Sequence, residues 1–586
     1  MLEKVNSPAD LKSLSVAELE TLADDIRAVL IKKVNETGGH MGPNLGFLEA
    51  TIALHTVFDS PKDKIVFDVS HQCYTHKILT GRKEYFLDPA KYDGISGFTN
   101  PHESEHDFFQ VGHTSTGASL AYGLAKARDL KGENYNVIAV VGDGSLTGGE
   151  ALEALDNAAV LGSNMIIVVN DNDMSIAENH GGLYKHLKEL RDTNGAAQTN
   201  FFKMLGFDYV FVKDGNDLPS LLSAFKSVKD SPRPVIVHLV TEKGHGLKQA
   251  VENKEAFHWI MPHALDGVKA AETPANYTSD TVNYLLEKVK TDDKLIAVTA
   301  GTPGATGFSP DFRAKMGKHY LDVGICEPHA VAAISGMAKN GAHPVWCVLS
   351  SFIQRTYDQL SQDLALNSNP ATILVFWGGI SSADATHLGC FDIPLIGNIP
   401  NMVYLAPTNK AEYLKMLDWS IEQNDRPVAI RVPFASYEAG EPDTTDYSVL
   451  NKYETVEAGD TVALIGVGDF FGLAKKVKEM LKKDGINATL INPKFLTGLD
   501  TETLNGLKKK HRLTATLENG VLDGGFGEKI ARFYGTDAMK TLCFGADKAF
   551  TDRVPMKELL TRFHLTPELI AADIKAALEK SQRKTD

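Results

Sequence analysis

The chain has 586 residues, more than one hydrophobic core normally supports, so about two to four domains are expected. Hydrophobic residues make up 43%, and no apolar run reaches the roughly 20 residues that a membrane-spanning helix needs, which predicts a soluble globular protein without a membrane partner. The formal net charge of -15 excludes electrostatic attraction to nucleic acid. The five cysteines are scattered and the N-terminus lacks a secretory or transit pattern, so a cytoplasmic location is expected.

The first third of the chain predicts an α/β domain. Ser15 and Glu18 have the spacing of a capping box and precede a helical stripe of leucine and isoleucine, so an amphipathic helix is expected to begin there. Further along, residues 137–141, 165–169 and 235–240 form apolar runs, and residues 150–160, between the first two runs, have a helical pattern. Continuous β-branched runs of this kind are typical of parallel strands that are buried on both faces.

Two further α/β patterns follow. Residues 261–280 lack clear periodicity, and residues 440–446 are acidic and rich in turn-forming residues, so both stretches are interpreted as boundaries. The strands predicted after the first boundary are 295–299, 344–349, 372–377, 402–405, 428–432, 462–467, 488–491 and 514–517. The predicted fold class is α/β, with three α/β domains of mainly parallel sheet over residues 1–270, 281–445 and 446–586.

The first candidate ligand-binding residues are Gly142, Asp143 and Gly144, which directly follow the predicted strand 137–141. Open α/β sheets bind ligands at the carboxyl ends of their parallel strands. Glycines let backbone amides approach a phosphate, and Asp143 offers a hard oxygen ligand. Asn172 follows the next predicted strand and is expected at the same sheet edge. A tight turn is the alternative interpretation of Gly-Asp-Gly alone, but the paired strand ends favour a Mg2+ and diphosphate site.

Several longer motifs occur in order along the chain. They are Gly38-Gly39-His40-Met41-Gly42, Asp68-Val69-Ser70-His71-Gln72, His76-Lys77-Ile78-Leu79-Thr80-Gly81, Gly112-His113-Thr114-Ser115-Thr116, Asn172-Asp173-Met174-Ser175-Ile176 and Asp322-Val323-Gly324-Ile325-Cys326-Glu327. With the Gly-Asp-Gly segment, this series resembles the 1-deoxy-D-xylulose-5-phosphate synthase family, which has a thiamine-diphosphate-binding, transketolase-like fold. The resemblance extends to Gly527 and so covers nearly the whole chain.

The resemblance implies two cofactors, thiamine diphosphate and Mg2+, and a homodimer that acts on small molecules. The domains that it implies are, in chain order, a diphosphate-binding, a pyrimidine-binding and a C-terminal domain. The implied metal ligands are Asp143, Asn172 and the backbone carbonyl of Met174. The implied cofactor-binding residues are His71, Gly112, His113, Thr114, Gly142, Asp143, Gly144, Ser145, Asn172, Ile176, Glu327 and Phe352.

The resemblance also implies catalytic and substrate-binding roles. Glu327 matches the glutamate that hydrogen-bonds the aminopyrimidine ring and so favours removal of the thiazolium proton. A solvated loop carboxylate is the alternative interpretation of Glu327, which its motif disfavours. The implied catalytic residues are Glu327, His40, His71, His113 and His387, the histidines acting in proton transfer. The implied substrate-binding residues are Arg355, Trp377, Asp384, Arg431 and His258.

The activity implied by the resemblance is attack of the thiamine cofactor on pyruvate, loss of carbon dioxide and addition of the remaining fragment to an aldehyde. The acceptor is glyceraldehyde 3-phosphate or a related aldehyde, and the product is 1-deoxy-D-xylulose 5-phosphate or a similar 1-deoxy-ketose. One alternative is a transketolase-like transfer from a ketose phosphate. Another is a cofactor-binding subunit without catalysis.

Departures from the family pattern cluster at the acceptor end. Trp377 stands where the family has an arginine, Leu349 where it has a tyrosine, and the motif at residues 383–387 is one residue shorter. An indole has one neutral donor, whereas arginine presents a charged fork to a phosphate. Glyceraldehyde 3-phosphate is therefore predicted to be a poor acceptor, with neutral drift as the alternative. Arg355 and Arg431 remain as candidates for binding an anionic acceptor.

One connection is also shorter than in the family. The family usually carries a long segment between the motif that ends at Ile176 and its next strand, whereas here only residues 181–200 intervene before a new apolar stretch. The shorter connection predicts fewer residues in any lid over the site.

Overall fold

The computed structural model describes residues 1–267, 275–432, 434 and 437–582. The α-helices are α1 Pro8–Leu11, α2 Val16–Thr37, α3 Met41–Gly46, α4 Leu48–Val57, α5 Tyr74–Lys77, α6 Glu84–Leu87, α7 Gly117–Lys131, α8 Gly149–Ala159, α9 Gly182–Asp192, α10 Phe201–Leu205, α11 Leu218–Val228, α12 Lys248–Glu252, α13 Tyr277–Lys288, α14 Pro310–Met316, α15 Glu327–Lys339, α16 Tyr357–Gln359, α17 Asp392–Gly397, α18 Lys410–Glu422, α19 Phe471–Lys483, α20 Thr501–Leu507, α21 Phe526–Tyr534, α22 Met556–Arg562 and α23 Pro567–Gln582. Within the described ranges, no helix combines the length and the apolar character needed to cross a membrane.

The strands are β1 Lys64–Phe67, β2 Val137–Gly142, β3 Met165–Asp171, β4 Asp208–Val212, β5 Pro234–Val240, β6 Leu295–Thr299, β7 Tyr320–Asp322, β8 His343–Leu349, β9 Thr372–Phe376, β10 Val403–Leu405, β11 Val428–Val432, β12 Glu454–Glu457, β13 Val462–Gly466, β14 Ala488–Asn492, β15 Leu513–Val521 and β16 Lys540–Ala546.

The first compact unit comprises the described residues up to 267 together with Gly324–Cys326. Its sheet has the strand order β1-β2-β3-β5-β4, and every pair is parallel. Alternate residues of the central strands face two separate cores, so that Ile138 packs into one cluster and Ala139 into the other. A strand that is buried on both faces needs apolar residues at every position, which explains the continuous runs in the sequence.

The second compact unit comprises the described residues 275–323 and those from 327 onward, and it holds two sheets. The first has the order β10-β11-β9-β8-β6-β7 and is parallel throughout. The second has the order β12-β14-β13-β15-β16, with β12 antiparallel to β14 and the other pairs parallel. The predicted α/β class with mainly parallel sheets is therefore confirmed.

The predicted strands are all present, with ends that differ by a few residues. Five strands were not predicted, namely β1, β4, β7, β12 and β16. All four residues of β12 are exposed, so its sequence carries no apolar signal, and most of β4 is only half-buried. The predicted domain ends at residues 270 and 586 lie outside the described residues.

The N-terminal helix begins where its capping residues predicted. The Ser15 hydroxyl accepts from the Glu18 amide at 3.4 Å, and the Glu18 carboxylate accepts from the Ser15 amide at 2.9 Å. This reciprocal pair satisfies two backbone donors that the first turn of a helix otherwise leaves open.

A buried hydrogen-bond network joins α4 and α5 to the loop that carries Asp107. His76 Nε2 lies 2.7 Å from Asp107 Oδ1, and Arg82 Nη1 donates to Asp107 Oδ2 at 2.7 Å. Because Asp107 accepts the Nε2 proton of His76, Nδ1 of His76 accepts from His55 Nε2, 2.8 Å away. Burial lowers the pKa of both histidines, His55 well below its ordinary value.

This network predicts a pH dependence of stability. Both imidazoles are neutral in the folded protein but titrate near pH 6.5 when unfolded, so below that pH the unfolded chain binds protons that the folded chain excludes. The free energy of unfolding should therefore fall as the pH falls, by about 1.4 kcal/mol per pH unit for each such proton. We expect His55→Gln to reduce this slope in urea unfolding between about pH 7 and pH 5.5. The exposed His102→Gln serves as the control, and an unchanged slope in His55→Gln would contradict the prediction.

Candidate cofactor and substrate site

A pocket in the first unit opens at the carboxyl ends of β2 and β3. Gly142 pairs with Asn170 in the sheet register, so the loops that follow the two strands lie side by side. Gly112 and His113 precede the lining residue Thr114 in the chain and are not themselves in the lining. The predicted site residues that line the pocket are His71, Thr114, Gly142, Asp143, Gly144, Ser145, Asn172, Met174, Ile176 and His258.

Asp143 is one of the carboxylates that line this pocket, and it is 2% exposed. Its Oδ1 accepts from the Gly144 amide at 2.9 Å, while its Oδ2 accepts from the Met174 amide at 3.1 Å and from Asn179 Nδ2 at 3.0 Å. Burial, together with the nearby charge of Asp171, raises the pKa of Asp143 to about 7 despite these hydrogen bonds. A cation bound next to Asp143 would therefore favour the ionised form of this carboxyl group.

Other atoms around Asp143 leave room and hydrogen-bonding capacity for a ligand. Asn172 Oδ1 and Ser175 Oγ are buried and have no hydrogen-bond partner in the structure. A methyl group added to Gly142 would have no atom within 4 Å, whereas one added to Gly144 would lie 2.8 Å from Ser175 Oγ. Oxygen donors of this kind beside an open glycine backbone fit Mg2+ and a diphosphate, because Mg2+ prefers oxygen ligands that include phosphate.

Two imidazoles, those of His71 and His258, and Lys243 also line the pocket, and the His40 ring packs against both imidazoles. The His40 ring lies 5.0 Å from that of His71 and 5.5 Å from that of His258 between centroids. Lys243 Nζ donates to the Ser175 carbonyl at 2.5 Å and lies 3.0 Å from His258 Nδ1. Burial lowers the pKa of Lys243 to about 7 and that of His258 well below its ordinary value. His258 is therefore neutral and accepts a hydrogen bond from Lys243.

Sequence reasoning did not single out Lys243, which lines this pocket, or Asn179, which donates to Asp143. Lys243 follows the end of β5, so the strand-end rule that found Asp143 and Asn172 would have found it also. Asn179 carried no comparable signal, because it lies in an irregular segment whose contacts depend on the tertiary fold. The short connection of residues 181–200 contains α9.

In the second unit, Glu327 is the first residue of α15 and is 2% exposed. Burial raises the pKa of its carboxyl group, and the nearest cation, Arg355, lies 3.5 Å away between Nη1 and Oε2. The ring of Phe352 contacts that of His387 edge to face, with centroids 5.7 Å apart. The structure thus forms two pairs among the residues predicted here, Glu327 with Arg355 and Phe352 with His387.

The shortened motif at residues 383–387 forms a tight hydrogen-bonded turn. Asp384 accepts from the Thr386 amide at 2.9 Å and from its hydroxyl, and Asp384 Oδ1 lies 3.5 Å from His387 Nδ1. Burial raises the pKa of Asp384, but the His387 and Thr386 hydrogen bonds outweigh burial and lower it to about 2. Asp384 is therefore ionised and is engaged by its own turn.

Trp377 and Arg431 lie at the carboxyl ends of the neighbouring strands β9 and β11. Their side chains differ in solvent exposure and in the protein contacts that they make. Trp377 has a backbone φ of 59°, is 44% exposed, and its ring lies 5.6 Å from that of Phe434. Arg431 is 3% exposed, and its guanidinium donates to Asp392 at 2.6 and 3.1 Å and to the Asn519 carbonyl at 2.6 Å. The indole is open to a ligand, whereas the guanidinium is committed to protein acceptors.

Comparisons with known proteins cover nearly all of the chain. Residues 2–200 and 192–241 match the family model described as 1-deoxy-D-xylulose-5-phosphate synthase. Residues 278–438 match the transketolase pyrimidine binding domain, and residues 451–570 match the transketolase C-terminal domain. A transketolase from Leishmania mexicana aligns with 97% of this chain and 98% of its own, at 15% identity and a TM-score of 0.43.

Two curated relatives are similar over their full lengths. The 1-deoxy-D-xylulose-5-phosphate synthase of Symbiobacterium thermophilum is 37% identical over 616 residues, which cover 98% of this chain and 95% of the relative. That of Pelotomaculum thermopropionicum is 37% identical over 628 residues, which cover 100% of this chain and 98% of the relative. Identity at this level over whole chains, together with the matching family model, shows that the protein belongs to the 1-deoxy-D-xylulose-5-phosphate synthase family.

Proposed function

We propose that this chain uses thiamine diphosphate and Mg2+ to join pyruvate, with loss of carbon dioxide, to an aldehyde, giving a 1-deoxy-ketose. The observation that carries the proposal is the group of oxygen atoms at the ends of β2 and β3, where the buried Asp143 carboxylate lies beside the unpartnered Asn172 Oδ1. The curated relatives are named for the synthesis of 1-deoxy-D-xylulose 5-phosphate. This reaction is therefore the reference against which the activity should be tested.

In this proposal Asp143, Asn172 and the Met174 carbonyl hold Mg2+. The Met174 amide donates to Asp143, which keeps the turn that contains Asn172 and Met174 next to the carboxylate. The open side of Gly142 provides room for the diphosphate. Lys243 would gain a counter-charge from the diphosphate, which favours its protonated form. Mg2+ and Lys243 together would balance the negative charge of Asp143 and the cofactor.

The residues of the second unit would act on the pyrimidine half. When bound, thiamine diphosphate supplies the nucleophilic carbon that attacks the keto group of pyruvate. Burial raises the pKa of Glu327, and a protonated carboxyl group at this position would donate a hydrogen bond to a ring nitrogen. Phe352 is half-buried and presents an aromatic face for the pyrimidine ring.

We assign proton transfer to the imidazoles of His40 and His71. His40 and His71 lie within ring contact of each other and of the neutral His258. A neutral imidazole accepts a proton at one nitrogen and donates at the other, so such a group can serve the alcohol and carbonyl oxygens of substrates. His113 and His387 remain predictions from the family resemblance.

We further propose the division into a diphosphate-binding domain (1–270), a pyrimidine-binding domain (281–445) and a C-terminal domain (446–586). The ranges of the three family models and the presence of three sheets support it. A homodimer is proposed from family membership. The cytoplasmic location stays a prediction from the sequence.

For the acceptor, we propose an aldehyde that does not depend on a phosphate contact at Trp377 or Arg431. The indole carries no charge, and the Arg431 guanidinium already donates to Asp392 and to the Asn519 carbonyl. Freeing Arg431 would leave the buried Asp392 without its cation, which is costly. Of the two arginines in the predicted substrate-binding set, Arg355, which lies 3.5 Å from Glu327, is the one we assign to an anionic group of a substrate.

The metal site can be tested at Asp143. Asp143→Asn keeps an oxygen acceptor for neighbouring amides but loses the charge, so we expect Mg2+-dependent binding of thiamine diphosphate to weaken by about tenfold or more. Asp143→Ala should weaken it further. Isothermal titration calorimetry measures the affinity, and Asp156→Asn, an exposed carboxylate on α8, is the control. Undiminished cofactor binding by both Asp143 variants would defeat the assignment.

The proposed role of Glu327 can be tested separately from cofactor binding. We expect Glu327→Ala to retain thiamine diphosphate but to lose nearly all thiazolium proton exchange with deuterated solvent, followed by proton NMR, because no carboxyl group remains to hydrogen-bond the pyrimidine ring. Glu422→Gln, an exposed residue of α18, should exchange like the parent. Parent-like exchange in Glu327→Ala would remove Glu327 from the proposed role.

The reaction itself can be tested with pyruvate and a panel of aldehydes. We expect carbon dioxide release that requires thiamine diphosphate, Mg2+ and an aldehyde, with unphosphorylated aldehydes used better than glyceraldehyde 3-phosphate at matched concentrations. Consumption of a ketose phosphate without carbon dioxide release would instead indicate transketolase-like transfer. Consumption of neither a 2-oxo acid nor a ketose phosphate would indicate a non-catalytic subunit.

A substitution at Trp377 sharpens the acceptor test. Trp377→Arg should raise kcat/KM for glyceraldehyde 3-phosphate relative to the unphosphorylated aldehydes, because it supplies a charged fork at an exposed position. Trp377→Phe is the control and should not. If the parent protein already prefers glyceraldehyde 3-phosphate by a wide margin, the altered acceptor preference is wrong.

A further inference from the structure

The turn of residues 171–174, here called the metal turn, connects the two proposed Mg2+ ligands that follow β3. Asp173, between Asn172 and Met174, has a φ of 58°, in the left-handed region. Non-glycine residues adopt this conformation infrequently, so the contacts made by Asp173 help to hold the turn. The Asp173 amide donates to Asp171 Oδ1 at 3.2 Å, which closes the turn from inside. The placement of both ligands therefore depends on what holds Asp171 and Asp173.

Arg191, on α9, holds both of these carboxylates. Its Nη1 donates to Asp171 Oδ1 at 2.6 Å and to Oδ2 at 2.8 Å, and its Nη2 lies 2.6 Å from Asp173 Oδ1. Asp171 is fully buried, and its Oδ2 also lies 2.9 Å from His238 Nε2. With partners on two sides, the Asp171 carboxylate has a fixed position, and Arg191 ties Asp173 to it. A planar guanidinium can make these contacts at once, whereas an ammonium cannot match its geometry.

The same segment of chain reaches the other side of the metal site. Asn179 Nδ2 donates to Asp143 Oδ2 at 3.0 Å, and the Tyr184 hydroxyl lies 3.3 Å from the Asp143 carbonyl. Asn179 precedes α9, while Tyr184 and Arg191 lie on it, so one short segment contacts both loops that would hold the metal.

We infer that Arg191 is a positioning residue that sets the Mg2+ affinity of this site by holding the metal turn. The inference rests on the proposed function, since it takes Asn172 and Met174 as ligands. Arg191 would not touch the metal or the substrate. Residues that orient metal ligands through hydrogen bonds typically change metal affinity by roughly 10–100-fold when substituted.

A merely structural role for Arg191 would have a different signature. If the ion pairs only attached α9 to the sheet, their loss would lower the thermal stability of the metal-free protein and leave Mg2+ affinity unchanged. The two roles separate when affinity and stability are measured on the same variants.

The test uses the full-length protein, freed of metal and titrated with Mg2+ at saturating thiamine diphosphate, with Mn2+ titration followed by electron paramagnetic resonance as a second readout. Arg191→Lys keeps a positive charge for the buried Asp171 but loses the fork, so we expect roughly tenfold weaker Mg2+ binding. Lys188→Met, which removes an exposed ion pair with Asp192 on the same helix, is the control and should bind as the parent does.

Asp173→Asn provides a second variant, because Asp173 is 58% exposed and asparagine tolerates the left-handed conformation. It removes the outer carboxylate and should weaken Mg2+ binding in the same direction by a smaller factor. If Arg191→Lys fails to fold, the Mg2+ affinity of Asp173→Asn decides between a positioning role and a merely structural role. Parent-like Mg2+ affinity in the folded variants would overturn the inference. Absence of Mg2+-dependent cofactor binding in the parent would instead refute the proposed function, so the two failures are distinguishable.

Discussion

The pairing of β2 with β3 is the constraint on which the site depends. Both strands are parallel and buried, and Gly142 lies opposite Asn170, so the chain leaves the sheet at two neighbouring points on the same edge. The Asp143 amide donates to the Asn170 carbonyl at 3.1 Å, which extends the pairing by one residue beyond Gly142. A slip in register would separate Asp143 from Asn172. Each face packs against its own core, so a slip would exchange the side chains that fill the two cores and disrupt their packing.

Burial changes the protonation of the ionisable side chains at this edge of the sheet. Asp143, Lys243 and His258 are all removed from water, and in each case burial disfavours the charged form. Without a ligand, the pocket therefore holds polar groups that are incompletely satisfied. A divalent cation and a diphosphate bring charges of both signs, and each would favour the ionised form of one of these residues. The cost of burying the groups is thus offset when the cofactor binds, which makes the pocket selective for such a ligand.

In the second unit, burial around Arg431 serves the fold rather than ligand binding. Arg431 is satisfied by Asp392, whose Oδ2 also accepts from the Tyr404 hydroxyl, so the ion pair is closed and structural. Trp377 is held in a left-handed conformation and is partly exposed beside Phe434. A large side chain in that conformation indicates local constraint. At this edge of the sheet, Trp377 and Phe434 thus form an aromatic surface. The buried guanidinium of Arg431 stabilises the fold.

The sequence by itself determined the α/β class, most of the buried strands and the candidate site at Asp143 and Asn172. Those features depend on signals within one element, such as continuous apolar runs or glycines directly after a strand. Only the tertiary structure decided that Arg191 contacts the metal turn and that Arg431 is paired with Asp392, 39 residues away in the chain. The partners of a charged side chain depend on which elements pack together, and periodicity reports only whether an element is buried. The exposed strand β12 went unpredicted because its four side chains leave no apolar pattern, although it pairs with β14 in the sheet.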